Sequence, residues 1–400
     1  MKLNPKYLVP RSLRDAIRPK MKSFTYDTLF SAWYRKEAKK PIDPKKVLFI
    51  DIDRDVVSDS MRLVWDEMER RGYTCVFRTL RLNHGKFSEY MRLIGQMAVD
   101  AATAHYIFIT DTCLPLAHLP LRSETKVIQL WHACGAFKKF GMSTADKLFG
   151  SSREEKLKHP EHRNTSLVTV SSPEVVWAYE EAMCLEGQGI VRPLGISRTD
   201  VFYDQAFIEA GVARVRDAVP ASEGKKILFY APTFRGHVGT AEAPNALDVR
   251  FLKGQLGDAW VLLIKHHPFV KERPTIPEGC EDFAFDVSGQ LAIDDCLCAA
   301  DVCISDYSSL IFEYSLFRRP MAFFAYDLDD YDDWRGFYYD YDEMTPGPVF
   351  TTNEELCAWV VGLSDGFDPA EVDAFREKFM SACDGHATER IVDATLALGE

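Results

Sequence analysis

The sequence predicts an α/β protein of two doubly wound domains that face a cleft, and three observations lead to this fold class. Short apolar runs rich in β-branched residues alternate with segments of helical periodicity, which is the pattern of parallel sheets with crossover helices. The same pattern restarts after Asp200. With 400 residues and 46% hydrophobic content, the chain is large enough to bury two cores.

We divide the sequence into a basic helical arm (1–45), a first domain (46–204) and a second domain (205–400). Strands of the first domain are predicted at 46–51, 74–80, 105–110, 126–131, 167–171 and 190–194. Strands of the second domain are predicted at 226–231, 260–265, 283–287, 301–305 and 321–326. Helices are predicted between them, at 58–71, 88–102, 173–185 and 293–300, and the polar stretch 141–164 is predicted to be a helix and a loop.

Charge is distributed unevenly along the chain. The net charge is −12, so nucleic acid is not an expected partner. Residues 1–46 nevertheless hold 13 Lys and Arg against 4 Asp and Glu, a net charge of +9. This arm carries apolar stripes that include Phe24, Leu29, Phe30 and Trp33. Two interpretations stay open: the arm lies on an anionic membrane surface, or it packs its stripe onto its own domain.

Cysteine usage and hydropathy predict a cytoplasmic protein. The ten cysteines are scattered, without a CxxC pair or a Cys/His ligand spacing, so we expect reduced thiols and no metal site. The sequence shows no signal-peptide pattern and no apolar run of the roughly 20 residues that span a bilayer. These features predict a protein that stays inside the cell and does not cross a membrane, and they indicate no cofactor.

Polar side chains follow the predicted strands, where doubly wound folds bind their ligands. His132 follows the fourth strand, and the small residues after it would let backbone approach a ligand: Ala133, Cys134, Gly135 and Ala136. At its strand ends the second domain adds a proline, three hydroxyl side chains, a lysine and two histidines: Pro232, Thr233, Ser308, Ser309, Lys265, His266 and His267. Arg198 lies just before the second domain in the sequence. Cations, hydroxyls and a helix start suit a diphosphate, and histidine can remove a proton from an alcohol near neutral pH.

Each of these residues also has a structural interpretation. Thr233, Ser308 and Ser309 could simply cap helices, and Arg198 could form an ordinary ion pair within a loop. Neither GxGxxG after the first strand nor GxxxxGK[ST] is present, which argues against a dinucleotide dehydrogenase and a P-loop nucleotidase. The joint occurrence of these residues at strand ends favours a phosphate-handling transferase.

Six segments resemble the CDP-glycerol glycerophosphotransferase family, the teichoic-acid primases and polymerases with a GT-B fold of two Rossmann-like domains. They run in family order between residues 129 and 348: QLWHACGAFKKFG, GISRTD, LFYAPTFR, IKHHP, ADVCISDYSSLIFEYSLFRRP and YDLDDYDDWRGFYYDYDEMTPGP. The resemblance implies transfer of glycerol phosphate from CDP-glycerol to a hydroxyl of a lipid-linked acceptor, with release of CMP, in the synthesis of teichoic acid or a related cell-surface polymer. It also implies a cytoplasmic protein that is peripheral on the inner face of the cell membrane.

The same resemblance implies roles for individual residues. His132 matches the general base that acts on the acceptor hydroxyl, and His267, in the family's KxHP motif, would stabilise the diphosphate. Positions that hold the donor are matched by Arg198, Pro232, Thr233, Lys265, Ser308, Ser309 and Glu313. Two departures stand out: one extra residue precedes Lys138, and Glu313 replaces the usual Asp. Alternative readings are a CDP-ribitol or other CDP-polyol phosphotransferase, a nucleotide-sugar glycosyltransferase of the same fold, and a non-catalytic scaffold at the membrane surface.

Overall fold

Two parallel β-sheets form the framework of the molecule. They are seen in a computed structural model that describes residues 28–81, 87–145, 147, 152–236, 238–328 and 336–399. Each sheet contains six strands, and every strand pairs in parallel with its neighbours. The predicted fold class of two doubly wound α/β units is confirmed.

The first sheet has the strand order β2-β1-β3-β4-β5-β6. Its strands are β1 (Asp43–Asp51), β2 (Thr74–Thr79), β3 (Ala104–Ile109), β4 (Lys126–Gln129), β5 (Thr165–Thr169) and β6 (Val191–Arg192). The strand order reverses between β1 and β3, and a doubly wound sheet offers a ligand crevice at such a point.

The second sheet has the strand order β12-β11-β10-β7-β8-β9. Its strands are β7 (Lys226–Tyr230), β8 (Trp260–Ile264), β9 (Ala284–Asp286), β10 (Val302–Ser305), β11 (Met321–Phe324) and β12 (Val349–Phe350). The order reverses between β7 and β10, beside the Ser308 turn. The sequence did not predict β12, because two residues carry no periodicity.

Helices cover both sheets. The α-helices are Ser31–Glu37, Asp59–Arg70, Phe87–Ala101, Leu114–Ala117, Arg153–Lys158, Val176–Met183, Gln205–Ala218, Val249–Leu256, Ile293–Ala299, Leu310–Ser315, Asn353–Gly362, Ala370–Met380 and Ala387–Ala397. Short 3₁₀ helices lie at Gly141–Thr144, Pro173–Val175, Ser197–Tyr203, Pro220–Ser222, Val238–Thr240, Gly257–Ala259, Tyr341–Met344 and Leu363–Asp365.

The described part of the basic arm belongs to the first domain. Phe30 and Tyr34 are 0% and 1% exposed and pack in the core beside the first sheet, with Leu29 and Trp33 against the same cluster. Of the two interpretations of the arm, packing on its own domain therefore applies to these residues. The membrane interpretation is wrong for Phe30, and Phe24 lies outside the described residues.

The last helix, Ala387–Ala397, leaves the second domain and returns to the first. Its residues Ile391 and Val392 are fully buried in one cluster with Val47 and Phe49 of β1. The second domain predicted from the sequence, residues 205–400, therefore contains a helix that packs on the first domain. The carboxylate of Asp200 accepts the main-chain N–H groups of Ala387 and Thr388, at 3.0 and 2.7 Å, and so holds the start of the helix.

Candidate active site

His132 lies at the carboxyl end of β4, in the first sheet. Its Nδ1 is 2.9 Å from the carbonyl oxygen of Thr110, which directly follows the neighbouring strand β3, and 3.8 Å from Oδ2 of Asp111. A carbonyl only accepts hydrogen bonds, so Nδ1 carries the proton and Nε2 is the basic nitrogen of the neutral ring. About half of the side chain is exposed. The ring therefore has the tautomer that a general base requires.

Trp131 explains why β4 ends two residues earlier than predicted. Its backbone has φ of 60°, a left-handed conformation that is rare for an aromatic residue and ends a strand. The buried amide of Gln129 accepts the Trp131 N–H at 3.0 Å and stabilises this turn. The Trp131 ring stacks on His132 at 4.6 Å between centroids. The strained turn thus sets the position of the histidine ring.

The loop after His132 packs against the second domain. Gly135 has φ of +61°, and a Cβ at this position would lie 2.2 Å from the ring of Phe312. Cys134 and Ala136 are 2% and 3% exposed. The small size of Gly135 makes room for Phe312, which is a packing reason for a small residue in this loop, and the predicted ligand contacts of Cys134, Gly135 and Ala136 stay predictions. Ala133 is partly exposed, and its role stays a prediction.

Main-chain hydrogen bonds join this loop to the second domain. The Lys139 N–H donates to the Gly336 carbonyl at 3.0 Å, and the Tyr338 N–H donates to the Phe137 carbonyl at 3.1 Å. Lys138 pairs with Phe337 in the same antiparallel bridge. The loop that carries His132 is thus part of the contact between the domains.

His267 follows β8 in the second sheet and has the opposite hydrogen-bonding character. Its Nδ1 accepts the main-chain N–H of Phe269 at 3.2 Å, so in the neutral ring the proton lies on Nε2. Phe234 and Phe269 flank the ring, with centroids at 5.0 and 4.6 Å. Burial, assisted by the charge of Lys138, lowers the pKa of His267 to about 4. At neutral pH the ring is an uncharged hydrogen-bond donor.

Asp306, which the sequence analysis missed, organises the turns after β7 and β10. Its carboxylate is 1% exposed and accepts the Thr233 N–H at 2.8 Å and a guanidinium N–H of Arg235 at 3.0 Å. Arg235 also forms a bidentate pair with Asp327, at 2.6 and 2.9 Å, and Tyr307 donates to Asp327 at 2.8 Å. The position directly after a buried strand was the signal that could have identified Asp306.

Thr233 and Pro232 are buried beneath this network. Within the described part of the chain, the Thr233 hydroxyl is buried and has no hydrogen-bond partner. Because Thr233 does not begin a helix, the capping interpretation does not apply to it. Its hydroxyl is available to a group that enters the turn.

Lys265 and His266 brace a neighbouring loop. The Lys265 ammonium donates to the carbonyls of Leu291 and Ser288, at 2.6 and 3.4 Å, and burial lowers its pKa. The His266 N–H donates to the Ser288 hydroxyl at 2.8 Å, and burial lowers the pKa of the His266 ring. Both residues lie at the predicted strand end, where they hydrogen-bond to Ser288 and Leu291 of the protein itself.

Ser308 and Ser309 lie where β10 turns into the helix Leu310–Ser315. Both are partly exposed, and the Ser308 hydroxyl accepts the Leu310 N–H at 3.4 Å. The helix has only six residues, so its dipole is small. Any anion at this turn would therefore be held mainly by hydroxyl and main-chain N–H groups.

Arg198 and Glu313 form a buried ion cluster at the domain contact. The guanidinium lies 2.7 Å from Asp294 and 3.0 Å from Glu313, and all three side chains are at most 14% exposed. Burial raises the pKa of Glu313 and of Asp294, which the charge of Arg198 opposes. Although burial acts to lower the pKa of Arg198, the two carboxylates raise it. The ion-pair interpretation of Arg198 matches this geometry, and Glu313 takes part in the same pair.

A groove in the second domain lies apart from these residues. It has a volume of about 840 Å³ between residues 342–349 and the helix Ala370–Met380, and no predicted site residue lines it. Among the residues that the structure describes, no cluster of three or more His, Cys, Asp or Glu side chains is arranged to hold a metal ion. No helix in the same part of the chain is long and apolar enough to cross a membrane.

Comparison with known protein families shows which family the chain belongs to. Residues 32–397 match the family described as CDP-Glycerol:Poly(glycerophosphate) glycerophosphotransferase. The chain belongs to this family. The match covers both sheets, the two histidines and the contact between the domains.

Two curated relatives come from Bacillus spizizenii. A teichoic acid ribitol-phosphate primase is 34% identical over 369 residues, which cover 91% of this chain and 94% of the primase. A teichoic acid poly(ribitol-phosphate) polymerase is 35% identical over 355 residues, which cover 88% of this chain and 56% of the polymerase. This chain thus spans little more than half of the polymerase. Glycerol-phosphate primases and polymerases are similar at 26–33% identity.

The fold also matches a solved structure. The wall teichoic acid polymerase TagF superposes with a TM-score of 0.75 at 22% identity, over 96% of each chain. This agreement confirms the expected GT-B fold.

Proposed function

We propose that this protein transfers a polyol phosphate from a CDP-activated polyol to a hydroxyl of a lipid-linked acceptor and releases CMP. His132 takes the proton of the acceptor hydroxyl on Nε2. The oxygen attacks the β-phosphorus, and the bond from phosphorus to the bridging oxygen breaks, with its electron pair leaving on CMP. Family membership supports the reaction class.

The observation that carries this proposal is the opposite hydrogen-bonding character of the two histidines. The Thr110 carbonyl makes Nε2 of His132 an acceptor, and the Phe269 N–H makes Nε2 of His267 a donor. An acceptor suits proton removal from an alcohol, and a neutral donor suits a phosphate oxygen. Lys138 follows His132 in sequence, and its charge acts on His267, which supports one site shared by both loops.

Donor contacts are proposed for the turns of the second sheet. The Thr233, Ser308 and Ser309 hydroxyls lie at the ends of adjacent strands β7 and β10, where the strand order reverses. Lys265 and His266 stand at the end of β8, the next strand. In this proposal Arg198 and Glu313 act indirectly, because they hold the domains together at the site.

Ribitol phosphate is the first donor group to test, and glycerol phosphate is the second. The ribitol-phosphate relatives match the chain over about nine-tenths of its length. The family description and the glycerol-phosphate relatives support the second candidate. We further propose that the enzyme works on the inner face of the cell membrane, where residues 1–27 would supply basic charge.

Alanine and glutamine variants of both histidines test the proposal. His132→Ala and His267→Ala should each lower kcat by about 10²-fold or more, with unchanged thermal unfolding. The amide N–H of glutamine can replace the Nε2–H donor, so His267→Gln should keep more activity than His267→Ala. Glutamine cannot act as a base, so His132→Gln should be as slow as His132→Ala. Nucleotide release would be measured with CDP-ribitol, CDP-glycerol and a nucleotide sugar, as CMP from the CDP-polyols and as the sugar's own nucleotide from the third donor. Normal turnover of a folded His132→Ala protein would refute the assigned chemistry, and release from the nucleotide sugar alone would refute the donor class.

A further inference from the structure

Asp111 follows β3 and lies beside His132. Its Oδ2 is 3.8 Å from Nδ1 of the histidine, while Nδ1 donates to the carbonyl of the preceding residue, Thr110, at 2.9 Å. The carboxylate therefore faces the side of the ring that is turned away from the basic Nε2. A positive charge that develops on the ring would interact favourably with this carboxylate.

Hydrogen bonds fix the orientation of the carboxylate. The Thr112 N–H donates to Oδ1 of Asp111 at 2.6 Å, which directs Oδ2 to the histidine. Gln129, whose side chain is fully buried, donates to the Asp111 carbonyl at 3.2 Å and accepts the Trp131 N–H at 3.0 Å. This amide joins the end of β3 to the end of β4. The distance between Asp111 and His132 is thus set by the sheet and does not depend on a flexible loop.

We propose that Asp111 is a positioning residue for His132, whose carboxylate stabilises the imidazolium that forms when Nε2 takes the acceptor proton. This inference rests on the proposed role of His132. Asp111 itself neither gains nor loses a proton in the step. The Thr110 carbonyl holds the tautomer before proton transfer, and the Asp111 carboxylate opposes the charge after it.

Other charged groups surround the pair. Burial is the largest cause that raises the pKa of Asp111, and the charges of Asp51, which ends β1, and of Asp53 act in the same direction, whereas His132 acts to lower it. Lys138 lies in the loop after His132 and acts on His267. Asp53 is exposed, and the structure gives its side chain no contact with His132, so it provides a matched control for the removal of one negative charge.

The test compares Asp111→Asn, Asp111→Glu and Asp53→Asn with the wild type. Asp111→Asn should lower kcat about tenfold, leave KM for the donor within about twofold, and move the acid limb of the rate profile to lower pH by about half a unit. In Asp111→Glu the acid limb should lie close to its wild-type pH, and Asp53→Asn should move the limb less than Asp111→Asn does. NMR titration of ¹³Cε1-labelled histidine reads the same shift at His132 without turnover.

The NMR titration separates this inference from the proposed function. If Asp111→Asn leaves the His132 titration and kcat as in the wild type, the role of Asp111 is refuted. If His132→Ala keeps normal turnover, the proposed function fails instead. The His132 titration in Asp111→Asn then still decides whether the two side chains interact.

Discussion

Replacing Arg198 by methionine should strongly destabilise the contact between the domains. The guanidinium is the cation placed between Asp294 and Glu313, at 2.7 and 3.0 Å, with all three side chains at most 14% exposed. Methionine keeps much of the side-chain volume and removes the charge. Two buried carboxylates then face each other without a counter-ion.

The size and the pH dependence of this effect follow from burial. Removing one partner of a buried ion pair costs about 3–5 kcal/mol of unfolding free energy. Burial already raises the pKa of Glu313 and Asp294, and loss of Arg198 raises these pKa values further. A carboxyl whose pKa is higher in the folded than in the unfolded state destabilises the fold as pH rises through that interval. The variant should therefore lose about 1 kcal/mol or more beyond its loss at pH 5 when it is measured at pH 7.5.

Urea unfolding followed by tryptophan fluorescence measures this loss at both pH values. Arg318→Met is the matched control, because Arg318 pairs with Asp373 at 2.6 Å while the two side chains are 51% and 33% exposed, so its loss should cost far less. Adding Glu313→Gln to Arg198→Met should recover part of the stability. If Arg198→Met costs no more than the control, or costs the same at both pH values, the buried-cluster reasoning is wrong.

Three further predictions concern the loop, the second histidine and the arm. Gly135→Ala should lower the thermal unfolding midpoint and kcat, because the added Cβ would overlap the Phe312 ring. Gly187 is also at positive φ but has open space around it, so Gly187→Ala should cost only backbone strain of about 1 kcal/mol, and equal losses in the two variants would contradict the packing argument. The ¹³Cε1 signal of His267 should titrate near pH 4, and a midpoint near 6.5 would show that its ring is not desolvated. Deleting residues 1–27 should weaken binding to anionic liposomes, because it removes basic charge. Deleting 1–40 also removes the buried Phe30 and should cost about 3–5 kcal/mol or more of unfolding free energy; an unchanged urea midpoint would refute the core role of Phe30.

Much of the fold could be predicted because central strands have a clear signal. KILFY and WVLLI are short apolar runs, and they form the buried strands β7 and β8. Helix ends were also close: the range 58–71 was predicted, and Asp59–Arg70 is observed. What failed were features that depend on distant contacts. The helix Ala387–Ala397 is amphipathic, but its pattern does not say which of two domains covers it.

The candidate site was predictable in its residue types and less so in their contacts. Small residues after His132 fit either a ligand or a large neighbouring side chain, and the sequence does not show that Phe312, far along the chain, packs against Gly135. Asp306 was missed because its partners, Thr233 and Arg235, lie more than 70 residues away in the sequence. In the structure its charge is taken up by N–H groups and by Arg235.

The tautomers of the two histidines show why residue type alone underdetermines the chemistry. The Phe269 N–H that sets His267 is two residues away in sequence, but the Thr110 carbonyl that sets His132 is 22 residues away and lies on the adjacent strand. Parallel pairing of β3 with β4 brings that carbonyl to the imidazole. Both partners are main-chain groups, so point substitutions of Thr110 or Phe269 would leave the hydrogen-bonding atoms in place. The backbone therefore gives the two rings opposite hydrogen-bonding states, His132 through strand pairing and His267 through its own turn.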